Sequence, residues 1–230
     1  MNELDNYKKR QHRIFGEFLH EIKTPLTIIR THLESEIINE TVPLEVRQKL
    51  VLDVEEVARI NHLVNDMKIL LGENTKMLQK TFKNESLLSL VMDVVESLGP
   101  LASLKKQKIS LVSQENCTVL MDEYKLKQLF FNLISNAIKY SKNNSQINVL
   151  FFIEKDFISV EVKDEGMGIS LQNQTKVFDA FYRVDEHAQE GNGLGLAVSN
   201  AIALMHNAKI SLKSKIGKGS RFRVKFKRDL

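Results

Sequence analysis

The spacing of apolar residues changes once along the chain, at Gly72-Glu73-Asn74, and this divides it into two differently built halves. From about Leu4 to Leu71 apolar side chains recur at helical intervals. A first helix carries Ile14, Phe18, Ile22, Ile29, Leu33 and Ile37; a second carries Val46, Leu50, Val54, Val57, Ile60, Val64, Met67 and Leu71. Thr41-Val42-Pro43 separates them, with Pro43 suited to the first turn of the second helix. Two helices alone bury one face poorly. The hairpin is therefore expected to pair with a second copy as a dimeric four-helix bundle, or to pack on the rest of its own chain.

Beyond Gly72-Glu73-Asn74 the texture is mixed. Strands are expected at Met77–Lys83, Ile109–Val112, Val119–Met121, Ile147–Ile153 and Phe157–Lys163, with two more at the C-terminus. Helices are expected at Ser86–Lys105 (with a break near Gly99-Pro100), Glu123–Tyr140 and Leu194–Met205. The stripe of the second is Leu126, Leu129, Phe130, Leu133 and Ala137. Helices and strands that alternate without regular βαβ repeats predict an α/β sandwich, helices on one face of a mixed sheet. The fold class is thus α plus α/β, with domains at 1–74 and 75–230.

Composition narrows the setting. At 230 residues, 43% hydrophobic and 27% charged, the chain has enough material for two modest cores. Cys117 is alone, so no internal disulfide forms and a reducing cytoplasm is the expected compartment. No apolar run is read as approaching the ~18 residues that span a bilayer, and no signal peptide is read at the start. The net charge of +4 raises nucleic acid as a partner. Near the C-terminus, however, Arg221, Arg223, Lys225 and Lys227 alternate with Phe222, Val224 and Phe226, as in a half-buried strand with a solvated outer face. No nucleic-acid partner is expected.

Several positions carry chemistry. Asn132, Asn136 and Lys139 stand at i, i+4 and i+7 of one helix, beside its apolar stripe. Such a face is either simply solvated or suited to a phosphate chain with Mg²⁺, which prefers oxygen ligands. Asp164 continues the inward phase of Ile158, Val160 and Val162 and is followed by Glu165-Gly166-Met167-Gly168. It either closes the strand in an Asx turn or accepts a hydrogen bond from an adenine amine. Gly191-Asn192-Gly193-Leu194-Gly195-Leu196 opens a helix whose free N–H groups form a ready anion site. The polar stretch Val184–Glu190 before it has the character of a lid. Far upstream lies His20-Glu21-Ile22-Lys23-Thr24-Pro25-Leu26-Thr27: either a neutral imidazole offers a nucleophilic nitrogen and Pro25 loosens the helix one turn away, or His20 is an ordinary surface or core residue and Pro25 simply breaks the helix.

Asn-x-x-x-Asn-x-x-Lys, Asp-x-Gly-x-Gly, Phe-x-x-Phe-Tyr-Arg and Gly-x-Gly-x-Gly, in this order, resemble the ATP-binding domain of the sensor histidine kinases, a fold shared with gyrase, Hsp90 and MutL. The segment around His20 resembles their phosphoacceptor site, with Leu19 where that family most often has a small polar residue. The resemblance implies ATP bound with Mg²⁺ on Asn136, and Asn132, Lys139 and Tyr140 nearby. It implies Asp164 on adenine, Gly166 and Gly168 around the base, Arg183 on the phosphates, Gly191, Gly193, Leu194 and Gly195 in the lid, and Ser220 at the closing strand turn. It further implies autophosphorylation of His20 assisted by Glu21, transfer to a response-regulator aspartate, and a water-orienting role for Thr24 in a phosphatase reaction. A homodimer is implied, with the membrane reached only through a sensor region preceding this chain. A non-catalytic scaffold and an ATPase without phosphohistidine are the competing readings.

Overall fold

The computed structural model describes residues 3–72, 82–113, 117–184 and 192–228, with side chains of the first helix described from residue 14 onward. The chain forms two compact units that divide between residues 73 and 74.

The first unit is a hairpin of α1 (Glu3–Ile38) and α2 (Leu44–Leu70). The Asn39 side chain takes hydrogen bonds from the backbone N–H and hydroxyl of Thr41, which turns the chain. Pro43 occupies the N-cap position of α2, one residue before its first turn. The expected stripe of α1 is only half right. Leu19 is buried and Ile22, Leu33 and Ile37 are partly covered, but Ile14, Phe18 and Ile29 are 54%, 56% and 47% exposed. The sheltered seam runs through Leu19, Ile22, Leu26, Leu33 and Ile37, at intervals of three, four and seven residues. Leu19 is therefore a seam residue, which accounts for an apolar side chain beside His20. The helix also continues unbroken through Pro25. Thr27 bonds back to the Lys23 carbonyl across the proline turn, and Thr31 bonds back to the Thr27 carbonyl one turn further on.

The second unit has a five-stranded sheet in the order β2 (Lys108–Val112), β4 (Gln146–Ile153), β5 (Phe157–Lys163), β7 (Ser220–Lys227) and β6 (Lys209–Ser214). β2 and β4 are parallel and the remaining pairs antiparallel. A separate two-stranded ribbon pairs β1 (Lys83–Ser86) with β3 (Thr118–Met121). Of the expected strand Met77–Lys83, residues 77–81 lie outside the described residues. Helices α3 (Leu87–Leu104), α4 (Glu123–Tyr140) and α5 (Gly195–Met205) supply the other layer. Ile147, Val149, Val160, Val162, Val224 and Phe226 from the sheet are buried together with Leu126, Leu129, Phe130 and Leu133 of α4. On the outer face Arg223 stacks over Phe152 and donates two hydrogen bonds to the Glu161 carboxylate, so the basic residues of β7 are its solvated side.

Two expectations for α3 need correction. The helix runs through Gly99-Pro100 without a break. Its 18 residues are also long and apolar enough, at a mean hydropathy of 1.5, to cross a membrane. Burial assigns it to a core: Leu87, Leu90, Val91, Val94, Leu98 and Ala102 form one buried stripe, while Asp93 and Glu96 lie outside it.

Caps and a buried histidine fix the ends of α4. Asp122 accepts a hydrogen bond from the Lys125 N–H as N-cap, and its own N–H donates to His206 Nε2 at 3.0 Å. His206 Nδ1 lies 2.8 Å from the Ile202 carbonyl, and the ring stacks on Phe82. Nε2 must accept and Nδ1 donate, so the ring is neutral. Burial lowers its proton affinity below the ordinary value of 6.5, against the opposing pull of these hydrogen bonds and the Asp122 charge. The unfolded chain then binds more protons than the folded one just below that pH. The contribution of His206 is fully present above ~6.5 and is lost as the pH falls through the lower folded value. His206→Gln should flatten the acid side of the stability profile, as measured by urea denaturation from pH ~5 to ~7.5.

Candidate functional site

One face of α4 builds a wall of a cavity of about 360 Å³. The apolar stripe of the helix points to the sheet, which leaves Asn132, Asn136, Lys139 and Tyr140 on the flank that lines this cavity. Asn132 donates to the Gly195 carbonyl at 3.1 Å and so ties the first turn of α5 to α4. The Asn136 side chain makes no hydrogen bond among the described residues, which leaves its amide oxygen available.

The opposite end of the cavity is set by Asp164, which is only 6% exposed. Its Oδ1 accepts from the Gly166 N–H at 2.8 Å and from the Ser220 N–H at 3.1 Å. Both bonds fall on one oxygen, and Oδ2 is left for a ligand donor. Burial pushes the carboxyl above its ordinary value, while the two N–H bonds pull it back. Two glycines at positive φ permit this junction. A Cβ on Gly168 would strike the Lys215 carbonyl, and one on Gly219 would strike the Asp164 carbonyl. Ile169, Val177 and Phe222 give the cavity an apolar wall beside Asp164. Lys139 and Arg183 are the cations that line it, and Asp164 is its one carboxylate among the described residues.

Gly195 and Leu196, at the N-terminus of α5, also line the cavity, and no side chain caps that terminus. Its free N–H groups and the positive end of the helix dipole favour an anion there. A base-sized apolar wall with a carboxylate acceptor, two cations and an uncapped helix end match the parts of a nucleoside polyphosphate.

Comparison with known proteins gives the same answer. Residues 121–230 match the family described as histidine kinase-, DNA gyrase B-, and HSP90-like ATPase. Over 231 residues the chain is 29% identical to the signal transduction histidine-protein kinase ArlS of Staphylococcus haemolyticus (strain JCSC1435), covering 99% of this chain and 51% of that protein. Identity to ArlS of Staphylococcus aureus (strain USA300) is 30%, over 98% of this chain and 51% of that protein. Residues 121–230 thus carry an ATPase domain of that family, and the chain as a whole is similar to signal transduction histidine-protein kinases. It spans about half the length of the curated relatives it matches. Two solved structures share the fold. Full-length ShkA in complex with AMPPNP matches with a TM-score of 0.73 at 22% identity, over 94% of this chain and 45% of that one. The Acinetobacter baumannii histidine kinase AdeS matches with 0.60 at 24% identity, over 92% and 98%.

Within this ATPase-type domain the structure brings together most residues singled out from the sequence. Asn132, Asn136, Lys139, Tyr140, Asp164, Gly168, Arg183, Gly193, Gly195 and Ser220 all line one cavity. Two do not. Gly166 is buried behind Asp164, where a Cβ would press on the Tyr140 carbonyl at 2.7 Å, and Leu194 is a core residue. Gly191, like most of the Val184–Glu190 stretch, lies outside the described residues. His20, Glu21 and Thr24 belong to the other unit, exposed on α1. Sequence reasoning missed Ile169, Val177 and Phe222. Only Phe222 left a signal, as an inward residue in the β7 alternation, and that signal says core rather than ligand.

Asp164 also carries a stability prediction. With its folded pKa raised, the folded unit holds the proton more tightly than the unfolded chain. Stability therefore falls as the pH rises from the ordinary 3.8 through the folded value, and the cost persists at neutral pH. Asp164→Asn keeps an Oδ1 acceptor for both N–H groups and removes the buried charge. The unliganded variant should melt at or above the wild-type temperature at pH ~7 in a calorimetric scan.

Proposed function

We propose that the chain is the catalytic core of a two-component sensor kinase that binds ATP with Mg²⁺, autophosphorylates on His20 and passes the phosphoryl group to an aspartate of a response regulator. The observation that carries this reading is the pairing, in one chain, of the Asp164–Asn136 cavity with an exposed imidazole in His-Glu-x-x-Thr-Pro. Asp164 Oδ2 accepts from the adenine amine, and Ile169, Val177 and Phe222 pack on the base. Arg183, Lys139 and the N-terminus of α5 hold the phosphates.

Asn136 fits Mg²⁺ because its amide oxygen is unengaged among the described residues. No cluster of three His, Cys, Asp or Glu exists there that would hold a metal in a protein cage. Such an ion is held by few protein groups plus phosphates and water. When bound, Mg²⁺ neutralises phosphate charge. Transfer forms a bond from a ring nitrogen of His20 to the γ-phosphorus as the bond to the ADP oxygen breaks. Positioning and charge stabilisation dominate such a step.

We place the dimerisation and phosphotransfer domain at 1–74 and the ATP-binding domain at 75–230. Homodimerisation through the hairpin is supported by Ile14, Phe15, Phe18, Ile28 and Ile29, all at least 44% exposed although large and apolar. In the same reading the full-length protein is anchored in the cell membrane through a sensor region, and this core lies in the cytoplasm. Incubation with γ-labelled ATP tests the proposal. Wild type should carry acid-labile, base-stable label, and His20→Gln none while still binding an ATP analogue. Asp164→Asn should lose about 1.5–3 kcal/mol of nucleotide affinity, the worth of a hydrogen bond to a charged group. Label in free phosphate alone would favour an ATPase, and persistent label on His20→Gln would refute the site.

A phosphatase activity toward the regulator is supported by Thr24. It lies one helical turn after His20, and its hydroxyl makes no bond back to the helix among the described residues, unlike those of Thr27 and Thr31. A hydroxyl left free in this way is able to hold a water in line with an aspartyl phosphate. Thr24→Ala should leave autophosphorylation intact and slow dephosphorylation of the purified phospho-regulator about tenfold or more. Equal loss of both activities would remove the claim.

A further inference from the structure

The imidazole of His20 is not free in the hairpin. Lys68, in the last turn of α2 and 48 residues away in sequence, places its ammonium 3.3 Å from His20 Nδ1. An ammonium has donors and no lone pair. Nδ1 is therefore the acceptor in this contact, and the one proton of the neutral ring sits on Nε2. A ring nitrogen attacks phosphorus only with an in-plane lone pair. The lone pair of Nδ1 is engaged by Lys68, and Nε2 has none because it carries the proton. As placed, neither nitrogen is a nucleophile.

Both ways out of this state require the same movement. Attack by Nδ1 requires Lys68 to vacate the position that phosphorus would take. Attack by Nε2 requires the proton to pass to Nδ1, and an N–H there would point at the ammonium, which has nothing to accept it. We infer that Lys68 restrains His20 in a non-nucleophilic state, and that its withdrawal precedes every phosphoryl transfer to this histidine. The inference rests on the reading of His20 as the phosphoacceptor. Once Lys68 has left, the freed lone pair forms the N–P bond. The bond from γ-phosphorus to the bridging oxygen breaks, its electron pair leaves on ADP, and the proton on the other ring nitrogen passes to water. The ammonium has an alternative home, since the last carbonyls of α2 and the negative end of its dipole lie within reach of a last-turn lysine. The restraint is therefore reversible at small cost, and any shift of α2 against α1 changes it.

Lys68→Met keeps the aliphatic stem and removes the donors, whereas Lys68→Arg keeps donors and charge. Two measurements on the 230-residue chain test the inference. In single-turnover labelling at saturating γ-labelled ATP, Lys68→Met should raise the rate constant about three- to tenfold, less than the full worth of a charged hydrogen bond because the pair is partly solvated. The half-saturating ATP concentration should stay the same, and Lys68→Arg should remain within about twofold of wild type. In nitrogen–proton correlation spectra of the histidine rings without nucleotide, Lys68→Met should move the Nδ1 resonance of His20 toward that of a free imine nitrogen. The other histidines should not move. Labelling of Lys68→Met at or below the wild-type rate, or an unmoved Nδ1 resonance, overturns the restraint. Absence of label on wild type would instead overturn the phosphoacceptor reading, and the ring spectra would be unaffected by that failure.

Discussion

A single carboxylate oxygen organises the nucleotide-like cavity. Asp164 Oδ1 takes the N–H of Gly166 in the following loop and the N–H of Ser220 at the start of β7. The Asp164 N–H in turn donates to the Ser220 carbonyl. The end of β5, the glycine loop and the β6–β7 turn are thereby locked into one junction. Gly168 and Gly219 lie so close to neighbouring backbone that no side chain fits. Burying a carboxylate is unfavourable, and here the cost is borne at the point where a ligand amine would take the second oxygen. The site and the sheet edge are consequently one construction.

α4 carries the other half of the cavity, and its two ends are held by groups distant in sequence. At its N-terminus Asp122 caps the helix and is itself held by His206 from the end of α5. At its C-terminus the Lys105 ammonium donates to the carbonyls of Ile138, Lys139 and Ser141. Gln107 adds bonds to Ile138, Ser141 and Lys142. A positive charge and an amide satisfying the last carbonyls is a strong C-terminal clamp. The residues clamped are those beside Lys139 and Tyr140, and the Tyr140 carbonyl in turn receives the Met167 N–H. Helix position, glycine loop and cavity shape are thus coupled through backbone hydrogen bonds rather than through the side chains that line the cavity.

The hairpin follows a different rule. Its seam shelters Leu19, Ile22, Leu26, Leu33 and Ile37 and leaves a second set of large apolar residues on α1 facing outward. A hairpin with two apolar surfaces has covered only one of them by itself. His20 stands on the exposed side of α1 one residue after buried Leu19, within reach of Lys68 of α2. The chemistry of the ring is therefore tied to the packing of the two helices against each other.

Much of this was legible in the sequence. The change of period at Gly72-Glu73-Asn74 separated the two units, and α4 and β5 have the bounds that alternation and helical spacing predicted. Asn132, Asn136, Lys139 and Asp164 converge on one cavity because each follows the phase of a helix or strand, and phase is written in the order of residues. The errors fall where phase does not decide. Ile14, Phe18 and Ile29 fit a helical stripe as well as the true seam does, since a helix with two apolar faces has no preferred one until a partner chooses. An 18-residue apolar helix reads alike for a core and for a membrane until its neighbours are known. The Lys105 clamp, the His206 tie and the Lys68–His20 contact join residues 33 to 84 positions apart. Local spacing carries no information about such pairs. Only the closed packing of helices on sheet, and of helix on helix, brings their donors within hydrogen-bond range of their acceptors.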